Sequence, residues 1–160
     1  IVMDRKNDAV LEDAFSAVYK KFKFRYYQNV FAQAPDRELS LTTIESFCAE
    51  IIGALDEPTI NEFASFVNIS SPNATYRVNS LIQKGYIEKV QAETDKREYH
   101  LRMTDKYYKY YNIGQGYVNE VLKRVQSECS KEDIEVFNRI LVKMRDELMP
   151  EVDLEHTSKA

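Results

Sequence analysis

Ser71, Asn73, Tyr76, Arg77 and Ser80 share the outward face of a helix if the chain from 71 to 84 is helical. Every one of these side chains can hydrogen-bond, four are uncharged and none is acidic. A solvated helix face ordinarily alternates Glu with Lys. A face of Asn, Ser, Tyr and Arg without an acid is what reading base edges in a DNA groove requires. Asn73, Tyr76 and Arg77 are placed to read bases, with Ser71 and Lys84 to hold phosphate and Thr75 counted beside them. A second group follows at Thr94-Asp95-Lys96-Arg97, too polar to be core. An arginine on a projecting ribbon can enter a minor groove, whose negative potential attracts it. A plain solvated turn is the competing reading of that tip. The expected DNA-binding set is therefore Ser71, Asn73, Thr75, Tyr76, Arg77, Lys84, Lys96 and Arg97.

The elements that must hold these groups are legible in order. Thr59-Ile60-Asn61-Glu62 opens one short helix with a capping box, and Ser70-Ser71-Pro72-Asn73 opens the next. There Ser71 can cap and Pro72 takes the first helical position, where its missing N–H is harmless. Gly85 closes that helix. Tyr86 to Val90 and Glu98 to Met103 flank the polar tip, and Tyr99, Leu101 and Met103 alternate with His100 and Arg102 as a strand requires. Helix, turn, helix and hairpin in this order predict a winged helix-turn-helix.

Longer helices flank it. Leu11, Phe15, Val18, Phe22 and Tyr26 form one stripe of a helix from Asp8 to about Phe31, with residues 1–7 read as a loose start. Lys20, Lys21, Lys23 and Arg25 lie on its other faces, and Ala34-Pro35-Asp36 breaks it. Thr42-Thr43-Ile44-Glu45 is a further capping box, before an apolar face that includes Phe47, Cys48 and Ile52. Thr104-Asp105 starts a helix to about Glu128, in which Gly114 and Gly116 favour a bend. Ser130 starts the last helix, with the stripe Ile134, Phe137, Ile140, Leu141, Met144 and Leu148. The fold class expected is mostly α with a small β-wing: a winged helix-turn-helix domain over 39–107, a helical dimerisation region over 8–34 and 108–149, and a disordered tail over 150–160. The outer helices carry apolar stripes that a second copy can cover by two-fold symmetry. A dimer would also set two reading helices about one DNA turn apart, ~34 Å, along a palindrome.

Composition narrows the setting. The chain has 160 residues, of which 44% are hydrophobic and 30% charged, so one domain with helical extensions is expected. Net charge is −4, which by itself disfavours binding to phosphate. The charge is segregated, however. From Ser70 to Tyr111 eight cations face five anions, a balance of +3, whereas from Glu128 to Glu155 nine acids face four bases. A basic face on an acidic protein is compatible with DNA. Two cysteines, Cys48 and Cys129, are too few for a disulfide framework and fit a reducing cytoplasm. No signal peptide is evident, and no uncharged apolar run approaches the ~20 residues that span a bilayer.

The sequence resembles the MarR family of bacterial transcriptional regulators over about residues 8–149. The resemblance rests on Asp95-x-Arg97 with Leu101-x-Met103-Thr104-Asp105-Lys106, on Leu81-Ile82-Gln83-Lys84-Gly85-Tyr86-Ile87, and on Leu41-Thr42 and Thr59-x-x-Glu62-Phe63-Ala64. It implies an obligate homodimer with interlocked terminal helices, the helix from Ser71 to Lys84 in the major groove and Arg97 in the minor groove. It also implies a repressor that leaves double-stranded DNA when a small aromatic or lipophilic effector binds. Tyr26, Tyr27, Phe47, Tyr107 and Tyr111 are the candidate effector pocket, against the alternative that these aromatic side chains pack the core and the dimer. Tyr76 stands where many members carry a basic residue, and Tyr107 replaces a usual glycine. The first helix lacks the cysteine of the family's peroxide sensors. His100 and His156 are too few for a zinc sensor with imidazole ligands. No metal and no cofactor is expected.

Two other function classes compete. An enzyme would need a nucleophile elbow, phosphate loop, H-E-x-x-H or spaced Cys–His pair, and none occurs. A winged helix used only for protein contact is the closer alternative, since fold does not fix function. The acid-free reading face argues against it.

Overall fold

The computed structural model describes residues 5–32 and 41–154, and the side chains of these except 5–7 and 110–115. The helix break expected at Ala34-Pro35-Asp36, His156 and the end of the tail lie outside the described residues. The chain divides into two compact units, residues 1–40 with 112–128 and residues 41–111 with 129–160.

In the first unit, α1 spans Arg5–Ala32. It begins earlier than the expected Asp8, so at least Arg5 to Asn7 of the supposed loose start are helical. The unit's other element is the C-terminal part of α5, Asp105–Glu128, whose helical backbone runs on without a break through Gly114 and Gly116. Phe22 meets Tyr117 edge to face with ring centroids 5.8 Å apart, and the Arg25 guanidinium sits 5.8 Å from the same ring. Leu11, Phe15 and Val18 of the apolar stripe remain more than half exposed.

The second unit holds α2 (Thr43–Ala54), α3 (Ile60–Val67), α4 (Ser71–Gln83), the strands β1 (Ile87–Gln91) and β2 (Tyr99–Met103), the start of α5, and α6 (Lys131–Lys143). A wide π-type turn, Met144–Leu148, extends α6, and Pro150 to Leu154 follow as turns and bends. Phe63, Ile52, Leu55, Leu81, Ile87, Leu101 and Val78 are fully buried and bring α2, α3, α4 and both strands onto one core. At ~25 cal/mol per Å² of apolar surface, each such side chain contributes roughly 1.5–3 kcal/mol. The strands pair antiparallel, Ile87 opposite Met103 and Lys89 opposite Leu101. The period-two pattern puts Leu101 and Met103 inward and Arg102 outward, while Tyr99 at the strand's outer end is half-exposed.

The caps explain where each helix begins. Thr42 forms a complete capping box, its hydroxyl accepting from the Glu45 N–H and its own N–H donating to Glu45. Thr59 departs from the expected box. Its hydroxyl accepts from the Glu62 N–H at 3.1 Å, but the Glu62 carboxylate accepts a hydrogen bond from that hydroxyl rather than from the cap's backbone N–H. The other Glu62 oxygen is buried without a hydrogen-bond partner among the described residues. In α4 the cap is Ser70 rather than Ser71: Ser70 Oγ accepts from the Asn73 N–H, and Pro72 is the second helical residue, not the first.

Left-handed residues make the turns. Gly85, at φ +80°, lets the N–H groups of Gly85 and Tyr86 close back on Ile82 and Leu81 and end α4. Asn68 ends α3 in the same region, and Asp56 and Glu57 hold it in succession between α2 and α3. That last turn is tied to the wing. Leu101 N–H donates to the Pro58 carbonyl at 2.8 Å, His100 Nδ1 to the Glu57 carbonyl at 2.7 Å, and Arg102 Nε to the Glu57 carboxylate at 2.5 Å.

Candidate nucleic-acid interface

Helix α4 buries Ala74, Val78 and Leu81 and turns Ser71, Asn73 and Tyr76 to solvent. Tyr76 is 70% exposed, a high value for a ring that nothing local covers. Thr75 and Arg77 are half-buried at the sides of the same face. Ser71 Oγ comes within 3.5 Å of Asn61 Oδ1, so the start of α4 faces the start of α3. The face therefore carries donors and acceptors, one cation and no carboxylate.

The wing tip is a built turn. Asp95 accepts the Arg97 N–H at 2.9 Å, the Glu98 N–H reaches the Asp95 carbonyl at 3.0 Å, and Gln91 Nε2 donates to the Lys96 carbonyl at 2.6 Å. An aspartate bonding two residues ahead fixes such a turn locally. Lys96 is exposed, and the Arg97 side chain is 95% exposed. Its Nε lies 3.9 Å from Asp95, an exposed pair that restrains it weakly. Between the wing and the start of α3 lies an open cleft of about 450 Å³, lined by Thr59, Asn61, Glu62, Lys89, Arg97 and Tyr99 among others.

Two residues sit differently from expectation. The Lys84 ammonium, expected on phosphate, is 2.6 Å from the Glu45 carboxylate. Ser80, expected on the outward face, donates its hydroxyl to the other oxygen of Glu45 at 2.5 Å. Glu45 itself was missed as anything but a cap. It is 7% exposed. Burial alone would raise its pKa, but hydrogen bonds from Lys84, Ser80 and Thr42 outweigh that and hold it at about 2. The one available signal was an acid in an otherwise apolar helix turn.

The aromatic side chains expected to take an effector fall in both units. In the first, the rings of Tyr26 and Tyr27 lie 6.1 Å apart on α1. In the second, Phe47 is half-exposed on α2, whereas Tyr107 is 3% exposed in the core, packed beside Gly53. The Tyr111 side chain lies outside the described residues. Cys48 is buried, which pushes its thiol pKa up and keeps it protonated. Among the described residues no group of three or more His, Cys, Asp or Glu could hold a metal ion. No helix among them is long and apolar enough to cross a membrane.

Comparison with known proteins gives the same fold. No curated protein sequence matches the chain. A MarR family protein from Bacillus stearothermophilus superposes with a TM-score of 0.65 at 19% identity, over 92% of this chain and 99% of that one. FabT of Streptococcus pneumoniae, in complex with DNA, gives 0.60 at 20% identity over 88% and 96%. MepR of S. aureus, bound to ethidium bromide, gives 0.58 at 19% identity over 86% and 96%. At 19–20% identity these likenesses show a shared fold. Residues 47–99, from α2 through α4 to the wing, match the model of the MarR family.

Proposed function

We propose that this chain is a sequence-specific regulator of transcription that binds double-stranded DNA as a homodimer. The observation that carries the reading is the pairing of two features in one domain: an acid-free, solvent-facing side of α4, and an Arg97 side chain exposed on a fixed turn. Asn73, Tyr76 and Arg77 read base edges in the major groove, and Arg97, with Lys96 beside it, enters the minor groove. Ser71 and Thr75 contact backbone or sugar. Lys84 adds positive charge near the backbone while its ammonium is held by Glu45. The DNA complex of FabT, a protein of the same fold, supports this.

Dimerisation is supported by apolar surface. Leu11, Phe15 and Val18 on α1, and Phe137, Ile140 and Leu148 on and after α6, are exposed. Side chains of that size in rows mark an interface, and a two-fold pair covers each row with its own copy. On this reading 39–107 is the DNA-binding domain, and 8–34 with 108–149 is the dimerisation region. The protein works in the cytoplasm, where its DNA is. A dimer seated on a palindromic promoter blocks polymerase without further machinery, so repression is the sign of the effect. Release follows binding of a small aromatic or lipophilic effector, a reading supported by the ethidium complex of MepR.

Selection from a random duplex library, followed by gel shifts at several salt concentrations, tests the function. Recovery of a palindromic sequence is expected, with log K falling by ~0.9 per phosphate contacted for each decade of salt. Recovery of no duplex would favour the protein-contact reading, and salt-independent retention would count against groove recognition.

A further inference from the structure

The reading helix is held on its inner side by a single carboxylate. Glu45 Oε1 accepts from Ser80 Oγ at 2.5 Å, and Glu45 Oε2 accepts from Lys84 Nζ at 2.6 Å and from the Thr42 N–H at 2.8 Å. A capping residue needs only the last of these contacts, and at a helix start it can stay in water. Here both oxygens are engaged and the residue is buried. Ser80 lies on α4 and Lys84, four residues on, is its C-cap in right-handed conformation, so they present one above the other on one side of the cylinder. Fixing two points one turn apart opposes both rotation and sliding of α4 against α2.

We propose that Glu45 is a positioning residue for DNA reading: it sets the roll of α4, and thereby where Asn73, Tyr76 and Arg77 arrive in the groove. The proposal rests on the DNA-binding reading above. The apolar seam alone cannot do this work. Ala74, Val78 and Leu81 attract without direction, whereas hydrogen bonds to a carboxylate have fixed lengths and angles. A roll of about 20° at a radius of about 6 Å moves a side-chain tip by roughly 2 Å. That displacement breaks a base contact whose length is ~2.9 Å. Ser80 lies three residues after Arg77 and four after Tyr76, so the anchored turn directly follows the reading turn. A buried ion pair adds little net stability in general, and its best-attested use is to specify one arrangement among several.

The test compares wild type with Glu45→Gln and Ser80→Ala on a duplex selected by the wild-type protein and on a scrambled duplex, with folding followed by circular dichroism. Glutamine keeps an acceptor for Thr42 but cannot accept from both Ser80 and Lys84 while offering no proton. The ratio of the two affinities is expected to fall about tenfold in Glu45→Gln and less in Ser80→Ala, with the salt dependence of scrambled-duplex binding unchanged. Ser80→Ala decides the matter if Glu45→Gln does not fold. A ratio kept at the wild-type value while both affinities fall together means a structural role only and overturns the proposal. A wild-type protein that selects no duplex overturns the DNA reading itself, and is seen before any variant is compared.

Discussion

Acid should weaken the winged domain through Glu45. In an open chain this carboxyl titrates near 4.5, and in the folded domain near 2. Burial opposes that depression, and the donors Lys84, Ser80 and Thr42 produce it. Because the folded value is the lower one, the stabilisation is complete above 4.5 and disappears as pH falls toward 2. A depression of about 2.5 units corresponds to ~3 kcal/mol at most, of which about 2 kcal/mol is gone by pH 3. Lys84 is partly open to solvent, and screening there reduces the measurable share to roughly 1–2 kcal/mol. Urea denaturation of wild type and Glu45→Gln at pH 7, 5, 4 and 3, at one protein concentration, isolates it. Glutamine does not titrate, so the two stability curves should converge as pH falls. Curves that stay parallel from pH 7 to 3 would refute the assignment of the three donors to Glu45.

Phe63→Ala removes the largest fully buried side chain and should lower stability by ~3–5 kcal/mol in denaturant unfolding. Arg97→Ala should weaken DNA binding by ~1–3 kcal/mol in gel shifts. The same change should leave the melting temperature unmoved, since its 3.9 Å pair with Asp95 is exposed.

Local rules carried most of the architecture. Apolar spacing located six helices, alternation located the wing, and Gly85 marked the end of α4 because a left-handed residue was needed there. The errors have local causes too. Two serines in a row offer two caps, and sequence cannot choose between them; Ser70 is the cap in the fold. Thr59 and Glu62 have box spacing, but the carboxylate settles on the threonine hydroxyl. Glu45 shows the deeper limit. Its capping role is written in four consecutive residues, whereas its partners Ser80 and Lys84 lie 35 and 39 positions away. A long-range pair leaves no periodic trace, so Lys84 reads as a free cation and Ser80 as an outward polar group until α2 and α4 are placed side by side. The acid-free face of α4 and the exposure of Arg97 were legible because each depends only on which side of one element a residue occupies.

The wing is clamped at its root. Pro58 and Glu57 grip Leu101, His100 and Arg102, so the hairpin leaves the body of the domain as a cantilever clamped over half the length of β2. Force applied at Arg97 is delivered to the joint between α2 and α3, which makes that joint the place where a tug on the wing is felt by the rest of the domain.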